Sequence, residues 1–169
     1  MGPEVTIRLS TGDDVEAITA VLREAFARYR DDYTPEAMEY VTPRAGEVRD
    51  RLTEGPVWVA EIGGSIVGTV SVVREPEWLY IRSMAVLPTA QGHGLGGRLL
   101  DAVERYAVEN DVATLFLYTT HFSTDAVRLY EKHGFIKGRE TTAEEWCGTR
   151  GLEMWKYLNK ETRSNAIGS

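Results

Sequence analysis

Four glycines within six residues, Gly92, Gly94, Gly96 and Gly97, stand between a strand-like run closed by Pro88 and a helical run opened by Leu95. That placement narrows what the chain can become. Backbone N–H groups at a helix start lack intrahelical partners, and glycine lets other atoms come close to that backbone. A helix N-terminus also favours negative charge, so a phosphate or pyrophosphate is the natural occupant of the loop Gln91-Gly92-His93-Gly94-Leu95-Gly96-Gly97-Arg98. The competing reading is a glycine-rich turn that only eases packing.

The elements around the loop limit the architecture. Val5, Ile7 and Leu9 alternate with polar residues as in a half-buried strand. Thr11 to Asp14 offers a helix N-cap, with Glu16 three residues after Asp13. Val15, Ile18, Leu22, Ala25, Phe26 and Tyr29 then recur at helical spacing. Pro35 to Val41 and Ala45 to Leu52 read as two short helices separated by Pro43. Strand patterns follow over Val57 to Glu61, Ile66 to Val73 and Trp78 to Val86, the first two joined by the turn signal Gly63-Gly64. Leu95, Leu99, Ala102, Val103 and Tyr106 mark a long helix ending near Asn110. A strand over Thr114 to Thr119 comes next, then a helix over Thr124 to His133 stopped by Gly134. Ile136 to Glu140 and Leu152 to Tyr157 close the pattern as strands around a polar loop. Hairpins followed by a strand–helix–strand crossover require a mixed α/β sheet with at least one parallel pair. The 169 residues carry no repeat or low-complexity block, so residues 1–160 read as a single domain and 161–169 as a flexible tail.

Charge and cysteine content bound the function. Nineteen basic residues against 26 acidic ones leave a formal charge of −7, which argues against a nucleic-acid partner. The lone Cys147 excludes an internal disulfide framework and a Cys-only zinc cluster, in keeping with a cytoplasmic setting. The N-terminal stretch has neither a basic n-region nor an apolar h-region, and no apolar run approaches the ~20 residues that cross a bilayer, so no membrane partner is expected. His93, His121 and His133 lack paired ligand spacing, so no metal is expected either.

Three phosphate loops can be compared with this one. A P-loop needs Gly-Lys-Ser/Thr, whereas Gly97 is followed by Arg98 and Leu99. The dinucleotide fingerprint is formally met by Gly92, Gly94 and Gly97, but Pro88-Thr89-Ala90-Gln91 separate them from the strand. Asp111 also precedes the next strand instead of ending it. The third pattern, Gln/Arg-x-x-Gly-x-Gly/Ala, is met at every defined position by Gln91, Gly94 and Gly96. In this the chain resembles the GNAT superfamily of acetyl-CoA-dependent N-acetyltransferases. The strand Ile81-Arg82-Ser83-Met84-Ala85-Val86-Leu87-Pro88 is similar to the family's fourth strand. Ala126-Val127-Arg128-Leu129-Tyr130-Glu131-Lys132-His133-Gly134-Phe135 resembles its second signature, Ala-x-x-Leu-Tyr-x-x-x-Gly-Phe. One departure is Ser123, where relatives often carry Asn.

The resemblance implies a mostly antiparallel mixed sheet of six to seven strands, flanked by about four helices and splayed between parallel fourth and fifth strands. It implies acetyl-CoA as cosubstrate, with pantetheine along the backbone of Met84, Ala85 and Val86. The pyrophosphate would lie on the loop of Gln91, Gly92, His93, Gly94, Leu95, Gly96 and Gly97. Ser123 and Ala126 would adjoin the pantetheine arm. A primary amine on a small molecule or peptide would attack the thioester directly. Ala85 or a neighbour would supply a backbone N–H to the developing oxyanion. Tyr130 matches the family's general acid for the leaving thiolate; otherwise it is a core aromatic. Relatives add a homodimer as an expectation.

The base is less marked. Trp78 to Val86 holds no carboxylate and no histidine, and His121, just after the fifth strand, has a side chain whose usual pKa near ~6.5 suits proton transfer. Glu39, Glu77 and Glu145 are the alternatives, and solvent another. Tyr29, Tyr33, Glu36, Glu39, Tyr40, Glu144, Glu145 and Trp146 fall where relatives hold their acceptors, and together could hold a cationic amine. Two other classes stay open: a non-catalytic acyl-CoA-binding module and a dinucleotide-binding regulator.

Overall fold

The protein is described by a computed structural model over residues 2–158, so the tail read at 161–169 lies outside the described residues. Seven strands form one sheet in the order β1-β2-β3-β4-β5-β7-β6. They are β1 (Val5–Leu9), β2 (Val57–Ile62), β3 (Ser65–Arg74), β4 (Leu79–Val86), β5 (Thr114–Thr119), β6 (Ile136–Glu140) and β7 (Leu152–Tyr157). Among the described residues only β4 and β5 run parallel. The five helices are α1 (Val15–Phe26), α2 (Pro35–Val41), α3 (Ala45–Glu54), α4 (Leu95–Glu109) and α5 (Thr124–Lys132).

Apolar periodicity decides which face each helix covers. Leu95, Leu99, Leu100, Val103 and Ala107 of α4 are buried against Val70, Val72, Leu79, Ile81, Leu115 and Met154 of the sheet. Val15, Ile18, Val21 and Leu22 of α1, with Val48 of α3, pack on Val57, Val59 and Ala85 from the other side. Gly55, between α3 and β2, is required by close approach: a Cβ there would stand 2.1 Å from the Val72 carbonyl oxygen.

Two local readings are corrected. The α-helix of α1 stops at Phe26, and Ala27–Tyr29 continue as a 3-10 turn. The cap before α1 uses Asp14, not Asp13 with Glu16. Thr11 accepts from the Asp13 N–H, and the Asp14 carboxylate accepts from the Thr11 N–H at 2.8 Å. Arg8 decides this, because its guanidinium holds both Asp14 oxygens, at 2.8 and 2.9 Å, and Glu61 as well. Arg8 thereby keeps the Asp14 carboxyl at about 2, below its usual 3.8. Its stabilising contribution is therefore present above the unfolded value and is lost as pH falls through the folded one. Asp14→Ala removes the cap and the ion pair and is expected to cost about 1–2 kcal/mol, roughly 2–8 °C in Tm, at neutral pH. Thermal melts should show that difference shrinking as pH is lowered toward 2.

Candidate active site

Parallel pairing between β4 and β5 covers only Leu79 to Ile81 against Leu115 to Leu117. Past Ile81 the strands separate. Each keeps its outer partner, β4 on β3 and β5 on β7, so each turns one backbone edge toward the gap. The split begins at a β-bulge: Arg82 pairs with Ser71 and Ala85 with Thr69, leaving Ser83 and Met84 opposite Val70 alone. Ser83 adopts φ 53°, a left-handed conformation that costs a non-glycine residue roughly 1–2 kcal/mol. Arg51 of α3 braces it, donating to the Ser83 hydroxyl and, at 3.2 Å, to the Tyr40 carbonyl. The bulge also inverts the strand's phase. Leu79 and Ile81 face α4, whereas Ala85, past the bulge, faces α1.

The gap widens into a cavity of about 350 Å³. Met84, Ala85 and Val86 form one wall, and Gln91, Gly92, Gly94, Leu95, Gly96 and Gly97 form its floor. Ala126 and Tyr130 of α5, with Ser123 just before it, close it. Gly92 and Gly94 have φ of 90° and 71°, which turns the chain into α4. The first bond of that turn runs from the Arg98 N–H to the Gly94 carbonyl at 3.1 Å, so Leu95, Gly96 and Gly97 start the helix without intrahelical acceptors. A Cβ on Gly96 would come within 2.7 Å of Leu129, so α4 begins tight against α5. Nothing lies within 4 Å of a Cβ built on Gly92 or Gly94. The floor is thus bare backbone, open to a ligand, and fits an anionic group such as a pyrophosphate.

Tyr130 is 5% exposed and packs edge-on against Phe135. Burial, with Tyr33 nearby, pushes its hydroxyl well above the usual tyrosine value, so it keeps its proton. Ser123 is buried, its hydroxyl 2.7 Å from that of Thr120. Burial raises Tyr33 to about 12, although the Thr120 and Ser123 hydroxyls act to lower it. Leu87 donates its N–H to Val67 on β3 at 2.8 Å. Alternate N–H groups of an extended strand face opposite edges, so Val86 turns its own toward the gap and Ala85 toward β3. Of the expected oxyanion donors, Ala85 or a neighbour, the one whose N–H faces the gap is thus Val86.

Two expected residues are absent from the lining. His93 does not line the cavity, and neither does His121, whose side chain is more than half exposed with Nε2 3.6 Å from Glu140. The carboxylates expected at the acceptor end stay outside too: Glu36, Glu39, Glu77, Glu144 and Glu145 are absent from the lining. Arg139 at 2.9 Å and the Thr142 N–H at 2.7 Å hold Glu145 and keep its carboxyl at about 2. The aromatic half of the expectation places Tyr29, Tyr33, Tyr40 and Trp146 on the wall. Thr34 brings Trp146 there, because it caps α2 and also bonds Cys147 and Thr149 of the loop between β6 and β7. Sequence reasoning missed Tyr80, Arg82 and Tyr118, which line the same end. Their signal was available: Tyr80 and Arg82 alternate with Leu79 and Ile81, and the apolar phase breaks at Ser83.

A mixed sheet opened between its parallel strands, with a glycine-bounded helix start facing the opening, is the architecture that the GNAT resemblance implies. The chain belongs to the acetyltransferase (GNAT) family, whose family model matches residues 18–135, more than half the chain, and it is thereby an acyltransferase. It is 29% identical over 137 residues to the uncharacterized N-acetyltransferase YhfO of Bacillus subtilis (strain 168), an overlap of 78% of this chain and 89% of that protein. The PaiA N-acetyltransferase of Thermoplasma acidophilum, solved in complex with coenzyme A, superposes with a TM-score of 0.75 at 18% identity, covering 92% of this chain and 99% of that one. YncA of Salmonella typhimurium, solved with its cofactor acetyl-CoA, gives 0.72 at 21% identity over 92% and 95% of the two chains.

Proposed function

We propose that the protein transfers the acetyl group of acetyl-CoA to a primary amine by direct attack within a ternary complex, and that residues 1–160 are one N-acetyltransferase domain. The observation that carries this reading is the single cavity joining the glycine floor, the free edge of β4 and Tyr130. Bound acetyl-CoA supplies a thioester carbonyl and a thiol leaving group. The N–H groups of Leu95, Gly96 and Gly97 receive the pyrophosphate, and the backbone of Met84 to Val86 pairs with the pantetheine arm as a strand would. Gln91, Gly92, Gly94, Ser123 and Ala126 border it. The Val86 N–H faces the developing oxyanion. The Tyr130 hydroxyl holds the proton that the departing thiolate needs, and its raised pKa keeps that proton in place at working pH.

A nearby base is not part of the reading. Asp125 is the lining's sole carboxylate among the described residues, and it faces Arg28 at 3.9 Å. The acceptor must then arrive as the free amine or lose its proton to solvent. For each acceptor, kcat/KM is expected to rise with pH along that amine's own titration. His121→Ala should leave the profile unchanged within about twofold; a tenfold loss of kcat/KM would restore His121 as the base.

Cofactor choice is tested by thermal shift. At about 100 times Kd, acetyl-CoA or CoA is expected to add roughly 2.7 kcal/mol, a Tm rise of about 5–10 °C. NAD should add nothing. A shift with NAD alone would replace this reading with a dinucleotide-binding one.

A further inference from the structure

The acceptor end of the cavity is built for more than an amine. Tyr40, Tyr80, Tyr118 and Trp146 make it aromatic, with Tyr80 and Tyr118 edge to face at 6.0 Å and Tyr40 and Trp146 at 6.2 Å. Into this wall β4 brings Arg82, whose side chain is only 16% exposed. The guanidinium meets Glu54 through Nη2, but Glu54 lies outside the lining and is 45% exposed. Its Nε is buried with no hydrogen-bond partner among the described residues. Buried donors are almost always satisfied, by protein, water or a bound group, so this donor has room for an acceptor that the protein itself does not supply. A second guanidinium, Arg51, is bonded to the adjacent Ser83, and burial together with the Arg82 charge holds it below the usual arginine range. The other arginine of the lining, Arg28, faces a carboxylate of the lining itself, Asp125 at 3.9 Å.

We infer that this end is a receptor for an anionic group on the acceptor. The acceptor is then a small molecule that carries a carboxylate beside its amine, with an aromatic body against the tyrosine and tryptophan rings. Arg82 takes the carboxylate in a charge-assisted, directional contact. The amine's place in this inference rests on the acetyl-transfer reading, whereas the carboxylate's place rests on Arg82 alone. Net charge −7 would suggest the opposite preference, for cations. Local lining outweighs it, because surface charge beyond a Debye length of ~8 Å is screened.

The test titrates CoA-loaded protein calorimetrically with matched pairs: L-tyrosine against tyramine, and L-tryptophan against tryptamine. The acid-bearing member is expected to bind at least about tenfold tighter, the scale of a hydrogen bond to a charged group. Arg82→Gln should erase that preference. Glu54→Gln removes the competing carboxylate and should strengthen acid binding by about two- to fivefold. A merely structural Arg82–Glu54 pair predicts weaker binding in both variants. Equal or tighter binding of the decarboxylated amines, a preference that survives Arg82→Gln, or no binding by either member overturns the inference. If Arg82→Gln does not fold, wild type and Glu54→Gln decide. Thiol release measured alongside separates the two readings: preferential binding without transfer removes the acetyl-transfer reading alone, and transfer without preference removes the carboxylate receptor alone.

Discussion

Gly94→Val is expected to raise the Kd for acetyl-CoA at least about 100-fold while the protein stays folded. Gly94 sits at φ 71°, where a β-branched residue costs roughly 1–2 kcal/mol, and it precedes the three unpaired N–H groups of α4. Strain there is relieved by moving the loop, which misdirects those groups. The added isopropyl also stands in open space beside the lining, where no protein atom lies within 4 Å of its Cβ. The strain lowers the stability of the free protein as well, whereas the added side chain leaves packing untouched. Calorimetric titration with circular dichroism on the same samples measures them together. Gly94→Ala should fall between wild type and valine. Binding within about threefold of wild type in Gly94→Val would remove the loop from the account of the pyrophosphate.

The second large effect is expected from Tyr130→Phe, with kcat falling about 10²-fold and KM for acetyl-CoA changing less than about threefold. Tyr130 is buried, and its hydroxyl makes no side-chain hydrogen bond among the described residues. Phenylalanine therefore keeps the ring's packing against Phe135 and loses no hydrogen bond to the protein among the described residues, so Tm should hold. A kcat loss without a stability loss separates proton donation from a packing role. Because burial raises the pKa, the wild-type rate should show no alkaline decline from this residue up to the ordinary tyrosine range near ~10. Turnover unchanged across pH in Tyr130→Phe would remove the assignment.

Local patterns carried much of this fold in the sequence. The 3.6-residue spacing of Leu95, Leu99 and Val103 and the alternation of Val57 and Val59 translate directly into faces buried on the sheet. The two short helices between Pro35 and Glu54 also form, and the glycine loop lies where its spacing implied. What periodicity does not encode is contact between distant segments. The capping partner changed because Arg8 reaches Asp14 across a turn. At the β4 bulge Arg51 bonds Ser83, 32 residues away. Trp146 reaches the cavity because Thr34 binds its loop 113 residues away. The acceptor end was misread for a related reason. Glutamates counted in α2 and near Trp146 share segments with the wall, but helix and loop geometry turn them outward. Meanwhile Arg82 hides in a strand whose apolar neighbours dominate the pattern.

The central claim, acetyl transfer to an amine without an acyl-enzyme, is tested most directly by initial velocities of thiol release across acetyl-CoA and amine concentrations. The amine panel should include the acid-bearing compounds above. The account predicts that CoA release requires an amine, that reciprocal plots intersect, and that the product is the amine heavier by one acetyl group. Acetyl-CoA that binds yet is never discharged faster by any amine, or parallel plots with acetylated protein, would contradict it.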